Sequence, residues 1–231
     1  MATYEPTQRE INEAKSYIIQ RISNQNALEE ILSDEFRRAA EQIVLIVLKY
    51  KNRNTRLRFT GSSAMAREIQ EVIDYLESQI DYYVEYYCVP EEAEDDPEIV
   101  SGIIHRTTDE PDHEYTYQDR KTLYLSNYIK ALEDYDFSEY DDEDTLLEAI
   151  EETTEKPSKR MLILGIGSVA LGFGFYALQQ AKANGAHGFV SYVNSSNPCK
   201  FCESVNGVVQ PLENYPESAY HPRCQCLFLF V

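Results

Sequence analysis

Positive charge is scarce in this 231-residue sequence: 21 Lys+Arg face 40 Asp+Glu, a net charge of −19. That excludes a basic, phosphate-tracking surface as the dominant feature of the chain. Met1 to Gln20 holds no long apolar run behind a basic start, so no secretory leader is expected and the chain is expected to begin in a cytosol. Cysteines are few, five in all. In a reducing compartment they suggest metal ligands before disulfides. No fixed-period repeat of solenoid length is present. The apolar share of 43% and charged share of 26% are those of an ordinary soluble protein with a core.

The acidity is not evenly spread. Residues 1–90 carry a net charge of −3 and residues 157–231 a net charge of +2. Residues 91–156 hold 23 acids and 5 bases, a net charge of −18. Three segments are the expected organisation: a helical part over 1–90, an acidic, partly helical middle over 91–156, and a helix with a Cys/His module over 157–231. The expected fold class is mainly α with a small C-terminal β-hairpin, zinc-ribbon-like module (α+β).

Leu28, Ile31, Leu32, Phe36, Ala39 and Ile43 recur at helical spacing within Ala27–Tyr50. Lys49, Lys51, Arg53, Arg56 and Arg58 follow, and cations suit a helix C-terminus. A second helix is marked by a cap at Ser62 or Ser63 and by Met65, Ile69, Val72, Ile73, Leu76, Ile80, Tyr83, Val84 and Tyr87. Its last turns crowd Tyr82, Tyr83, Tyr86 and Tyr87, read as half-buried packing. Pro90 ends it, and 91–98 reads as an exposed acidic loop. Strand character is expected over Ile99–His105 and Tyr115–Tyr117, and a helix over 120–134. A charged turn over 137–144 then leads to a short helix through Leu146, Leu147 and Ile150, broken at Lys156-Pro157.

Met161–Leu178 runs 18 residues without a charge, the lower edge of a membrane span. It also imitates a GxGxxA nucleotide fingerprint, but the acid expected about 20 residues on is missing. The preferred reading is a buried small-residue helix reaching Asn184. Gly165, Ser168 and Gly172 would let another backbone approach, and Gly185 would stop the helix.

The densest chemistry lies near the end. Cys199-x2-Cys202 is followed by His221-x2-Cys224-x-Cys226. Two close ligand pairs separated by a loop are what a tetrahedral Zn²⁺ site needs. Cys199 and Cys202 form the first pair. Either His221 with Cys224 or Cys224 with Cys226 completes the set, and the spacing leaves that choice open. Two disulfides could staple the same segment, but a reducing compartment favours structural zinc. Cys88 lies far from these and reads as a buried thiol. Val205-Asn206-Gly207-Val208 carries a hairpin-turn signature, and Leu227–Val231 reads as a closing strand. There is no HExxH, and His105, His113 and His187 fall in no catalytic pattern, so no enzyme activity is expected.

These residues resemble a known family. The stretch Tyr176–Gly185, then Gly188–Tyr192, Pro198-Cys199-x2-Cys202, Asn206-Gly207-Val208 and His221-Pro222-Arg223-Cys224-Gln225-Cys226 resembles the C-terminal domain of tailed-phage minor head proteins, the head-morphogenesis family. The resemblance covers residues 157–231, about a third of the chain. Gln225 stands where the family usually has Arg, and the helix is glycine-rich where the family has an Arg-Thr-Glu signature. The resemblance implies a structural virion protein near the portal, made in the host cytoplasm, acting in head assembly or in DNA packaging or ejection. Its implied partners are portal or capsid proteins. Packaged DNA would be a contact without an evident basic surface, and a membrane is not an expected partner. Two other classes stand as alternatives. One is a metal-dependent His/Cys nuclease, which needs a trailing helix that LFLFV does not supply. The other is a membrane-anchored accessory protein using residues 161–178.

Overall fold

The structure, a computed structural model, describes residues 4–51, 64–111, 114–140, 142–194, 198, 200–217 and 224–231. In chain order its helices are α1 (Gln8–Tyr50), α2 (Ala64–Tyr87), α3 (Pro97–Thr108), α4 (Tyr117–Asp134), α5 (Glu143–Ala183) and α6 (Lys200–Ser204). The strands are β1 (Gly188–Tyr192), which precedes α6, then β2 (Val209–Pro211) and β3 (Leu227–Phe230). Short 3₁₀ turns lie at 91–93, 137–139 and 212–214. The fold is mainly α with one small antiparallel sheet near the C-terminus, the class expected from the sequence. The chain divides into two compact units: residues 1–27, 85–110 and 166–231 form one, and 28–84 and 111–165 the other.

The unit of residues 28–84 and 111–165 is helical and built from amphipathic faces. Leu28, Leu32, Ile43 and Val47 of α1 are buried, as are Ile69, Ile73, Leu76, Ile80 and Val84 of α2. Leu125, Tyr128 and Leu132 of α4 and Leu146 and Ile150 of α5 add to this core. Burying each such side chain contributes about 1.5–3 kcal/mol. One cation is buried with them: Lys121 is 3% exposed, and its Nζ lies 2.6 Å from Asp81 and 2.9 Å from Glu77. Tyr83 and Tyr87 are half-buried, while Tyr82 and Tyr86 stand out into solvent.

The unit of residues 1–27, 85–110 and 166–231 carries the sheet. Its strand order is β2-β1-β3, antiparallel throughout, with Gly188 opposite Pro211 and Val190 opposite both Val209 and Leu229. The central strand β1 buries Gly188 to Ser191. β3 alternates, burying Leu227 and Leu229, as a half-covered strand should. Val231 closes the sheet, its N–H donating to the Gly188 carbonyl at 2.9 Å.

The second half of α5 packs through its small residues. A Cβ on Gly172 would lie 2.2 Å from the carbonyl oxygen of Cys88. Gly185 stops α5 as expected, and its φ of 76° is left-handed. The Ala186 N–H donates to the Ala181 carbonyl and the Gly185 N–H to the Lys182 carbonyl, which is a Schellman stop. Over its most apolar 18-residue window α5 has a mean hydropathy of 2.0 and is long enough to cross a membrane, and 61% of that window is buried inside the protein.

Several local expectations are corrected. α1 begins at Gln8 and not at Ala27, because Thr7 and Glu10 cap it reciprocally. The Thr7 N–H donates to Glu10 Oε2 (2.7 Å) and the Glu10 N–H to Thr7 Oγ1 (3.3 Å). The acidic stretch 91–98 is exposed for the most part, but it holds a 3₁₀ turn with a fully buried Ala93. Ile99–His105 is helical, in α3, and not a strand: Asp96 accepts from the Glu98 and Ile99 N–H groups, and Pro97 fills the first helical position. Tyr117 opens α4, capped by Thr116 and Asp119. The charged turn after α4 hides a fully buried Phe137. Pro157 does not break α5 but sits inside it. Its missing N–H and ring cost about 3 kcal/mol in a helix interior. Buried Ile150 and Met161 on either side hold the helix together, and Ser158 and Thr154 add hydroxyl bonds back to backbone carbonyls. The Asn206-Gly207 turn does not join two strands; it leads from α6 into β2. Ser62, Ser63, Arg53, Arg56, Arg58 and His113 lie outside the described residues.

Candidate metal centre

Three sulfur atoms meet next to the sheet. Cys202 is delivered by α6, and Cys224 and Cys226 by the segment that runs into β3. Their Sγ atoms all lie within 4.8 Å of one another. All three residues are buried, with Val193 and Phe228 packed against the group.

The local backbone explains why these turns converge. Cys226 directly precedes Leu227, whose pairing with Tyr192 anchors the start of β3. Gly207, at a φ of 71°, turns the chain after α6, and its N–H donates to the Ser191 carbonyl at 2.8 Å. Ser191 Oγ donates to the Val205 carbonyl (3.2 Å), and Asn206 Oδ1 accepts from the Val193 N–H (2.9 Å). The Asn-Gly pair read as a hairpin turn therefore acts as a brace, tying α6 to β1 and so fixing Cys202.

Crowding among the three sulfurs makes the Cys226 thiol resist ionisation. The Cys226 thiol is pushed well up, first by its hydrogen bond with Cys224, then by burial and by the charges of Cys224 and Cys202. A divalent cation reverses that preference, because it replaces protons on sulfur and neutralises the thiolates it gathers. Thiolates around a tetrahedral ion at about 2.3 Å stand about 3.8 Å apart, inside the span seen here. The three C-terminal cysteines 202, 224 and 226 thus lie close enough to bind a metal ion.

Of the five donors expected from the sequence, the structure brings together Cys202, Cys224 and Cys226. Cys199 and His221 lie outside the described residues. Cys88 belongs elsewhere, in a buried cluster with Val89, Ala93 and Ile103. Burial pushes its thiol up to about 12, as befits an inert core cysteine. His105 is exposed and pairs with Asp109 at 3.1 Å, and His187 is exposed just before β1.

One neighbour of the thiols has no counterpart in the sequence reading. Arg21 of α1 is 4% exposed, and its Nη2 donates to the Cys224 carbonyl. Arg21 also lines a cavity of about 750 Å³ walled by Tyr17, Tyr176, Tyr215, Phe228 and Phe230. A signal for it was within reach: a Thr-x-x-Glu cap at Thr7 starts a helix in which Tyr17, Ile18, Arg21 and Gln25 share one face. Compared with known proteins, the chain matches no family model, no curated protein and no solved structure.

Proposed function

We propose that this protein is a structural, non-enzymatic component of a tailed-phage head, acting near the portal in head assembly or in DNA packaging or ejection. The observation that supports this reading is the buried gathering of Cys202, Cys224 and Cys226. It sits in the segment whose CxxC…HPxCxC pattern resembles the minor head family. In this reading the metal is zinc, since thiolate donors suit it and a filled tetrahedral site is structural. Cys199 or His221 would supply the fourth donor. The ion holds α6 against the lead-in to β3, so it shapes a surface and leaves no position for a reacting water.

The acidic segment 91–156 fits a protein partner better than packaged DNA, because net −18 repels phosphate and attracts a basic portal or capsid surface. Localisation in purified particles tests the reading. The expected result is a low-copy density at the portal vertex. Absence from the particle, or metal-dependent cleavage of DNA by the purified protein, would overturn it.

A further inference from the structure

A buried guanidinium needs an anion. Arg21 is 4% exposed, yet among the described residues it forms no ion pair with a carboxylate. Its Nη2 bonds the Cys224 carbonyl, and its Nε is buried with no hydrogen-bond partner among them. The ionisable groups that act on it most are Tyr215, Cys224, Tyr17 and Cys226, none of them a carboxylate. A charge left buried in this state is strongly destabilising. The single bond to the Cys224 carbonyl does not offset that cost.

A loaded metal centre would. A divalent cation with three thiolates carries one negative charge in excess, and with a fourth thiolate two. We propose that Arg21 is the counter-ion of the thiolate–metal centre, docked on the backbone of Cys224 so that its fixed positive charge balances the excess negative charge of the bound thiolates. This rests on the metal reading above. Arg21 is a positioning residue: it touches the backbone of a ligand and acts on the ion through it.

The stripped and loaded states should therefore respond oppositely to its loss. With metal bound, Arg21 has its anion. Without metal, its charge is unbalanced. A purely structural arginine would support both states alike.

The test uses the full-length protein with Arg21→Met, Arg21→Gln and Arg21→Lys. Gln keeps a donor for the Cys224 carbonyl without the charge, and Lys keeps the charge. Zinc affinity is measured by competition with a chromophoric chelator, and thermal unfolding is followed for stripped and loaded protein under reductant. Both neutral variants are expected to lose about tenfold or more in zinc affinity, the scale seen when outer-shell partners of metal ligands are removed. Arg21→Lys should retain most of the affinity, and the stripped neutral variants should melt no lower than stripped wild type. Wild-type affinity in Arg21→Met and Arg21→Gln overturns the proposal, and so does equal destabilisation of stripped and loaded forms or failure of the stripped neutral variants to fold. If wild type itself takes up no zinc, the metal reading fails, and the counter-ion fails with it. Normal zinc uptake with unchanged variants sinks the counter-ion alone.

Discussion

Replacing Gly172 by Ala tests the packing of α5 directly. In an open helix interior this change stabilises by about 1 kcal/mol through helix propensity. At Gly172 the added Cβ would sit 2.2 Å from the Cys88 carbonyl oxygen and 2.9 Å from the Cys88 Cβ. Ordinary contact begins at about 3.5 Å, so the backbone must yield by about 1 Å. Overpacking of this kind costs about 1–3 kcal/mol, sometimes more, and the obstacle here is backbone, which cannot rotate away. The net expectation is a loss of about 2 kcal/mol, or about 4–8 °C in Tm for a chain of this size. Gly167 is the control on the same helix, because a Cβ there meets nothing within 4 Å. Gly167→Ala should raise Tm by about 2–4 °C. Calorimetry on both variants in detergent-free buffer decides the matter. If Gly172→Ala is as stable as Gly167→Ala, α5 does not pack against Cys88 as described, and the buried-helix reading fails.

Three other outcomes are expected. Cys202→Ser removes one of three gathered thiols and should abolish stoichiometric metal uptake, with residues 186–231 becoming protease-sensitive while α1 and α2 stay protected; elemental analysis and limited proteolysis check it. Lys121→Met strands Asp81 and Glu77, whose side chains are 29% and 40% exposed. Solvent therefore reduces the usual cost of breaking a buried pair, about 3–5 kcal/mol, to about 2 kcal/mol, read as a lower urea midpoint. Glu10 is held down to about 2, first by the Thr7 hydroxyl and then by Tyr4 and the Thr7 N–H. Its contribution is complete above the ordinary carboxylate value of 4.5 and is lost as pH falls toward 2. The first turn of α1 should fray over that range in wild type and show no such step in Glu10→Gln, followed by amide exchange at residues 8–11.

How much of this was legible in the sequence depended on the range of the interaction. The stripe from Met65 to Val84 specifies α2 because helical spacing is local, and the buried residues of that helix fall on it. Gly185 was readable as a stop for the same reason. Ile99–His105 misled because β-branched residues favour strands, while the Asp96-Pro97 cap, also local, was the stronger signal. Pro157 misled because a proline's cost is local but its compensation, the burial of Ile150 and Met161, is tertiary. At the candidate site the spacing marked out five donors, Cys199, Cys202, His221, Cys224 and Cys226, without choosing among them, and three of these, Cys202, Cys224 and Cys226, meet in the structure. It could not point to Arg21, which lies 203 residues before Cys224 and reaches the thiols only through the fold.

Pro211 has a consequence for behaviour at high concentration. It stands in a border strand of the three-stranded sheet, where an incoming chain would seek N–H donors, and proline has none to give. That flank therefore discourages one molecule's strands from adding onto another's and works against fibril growth along this edge.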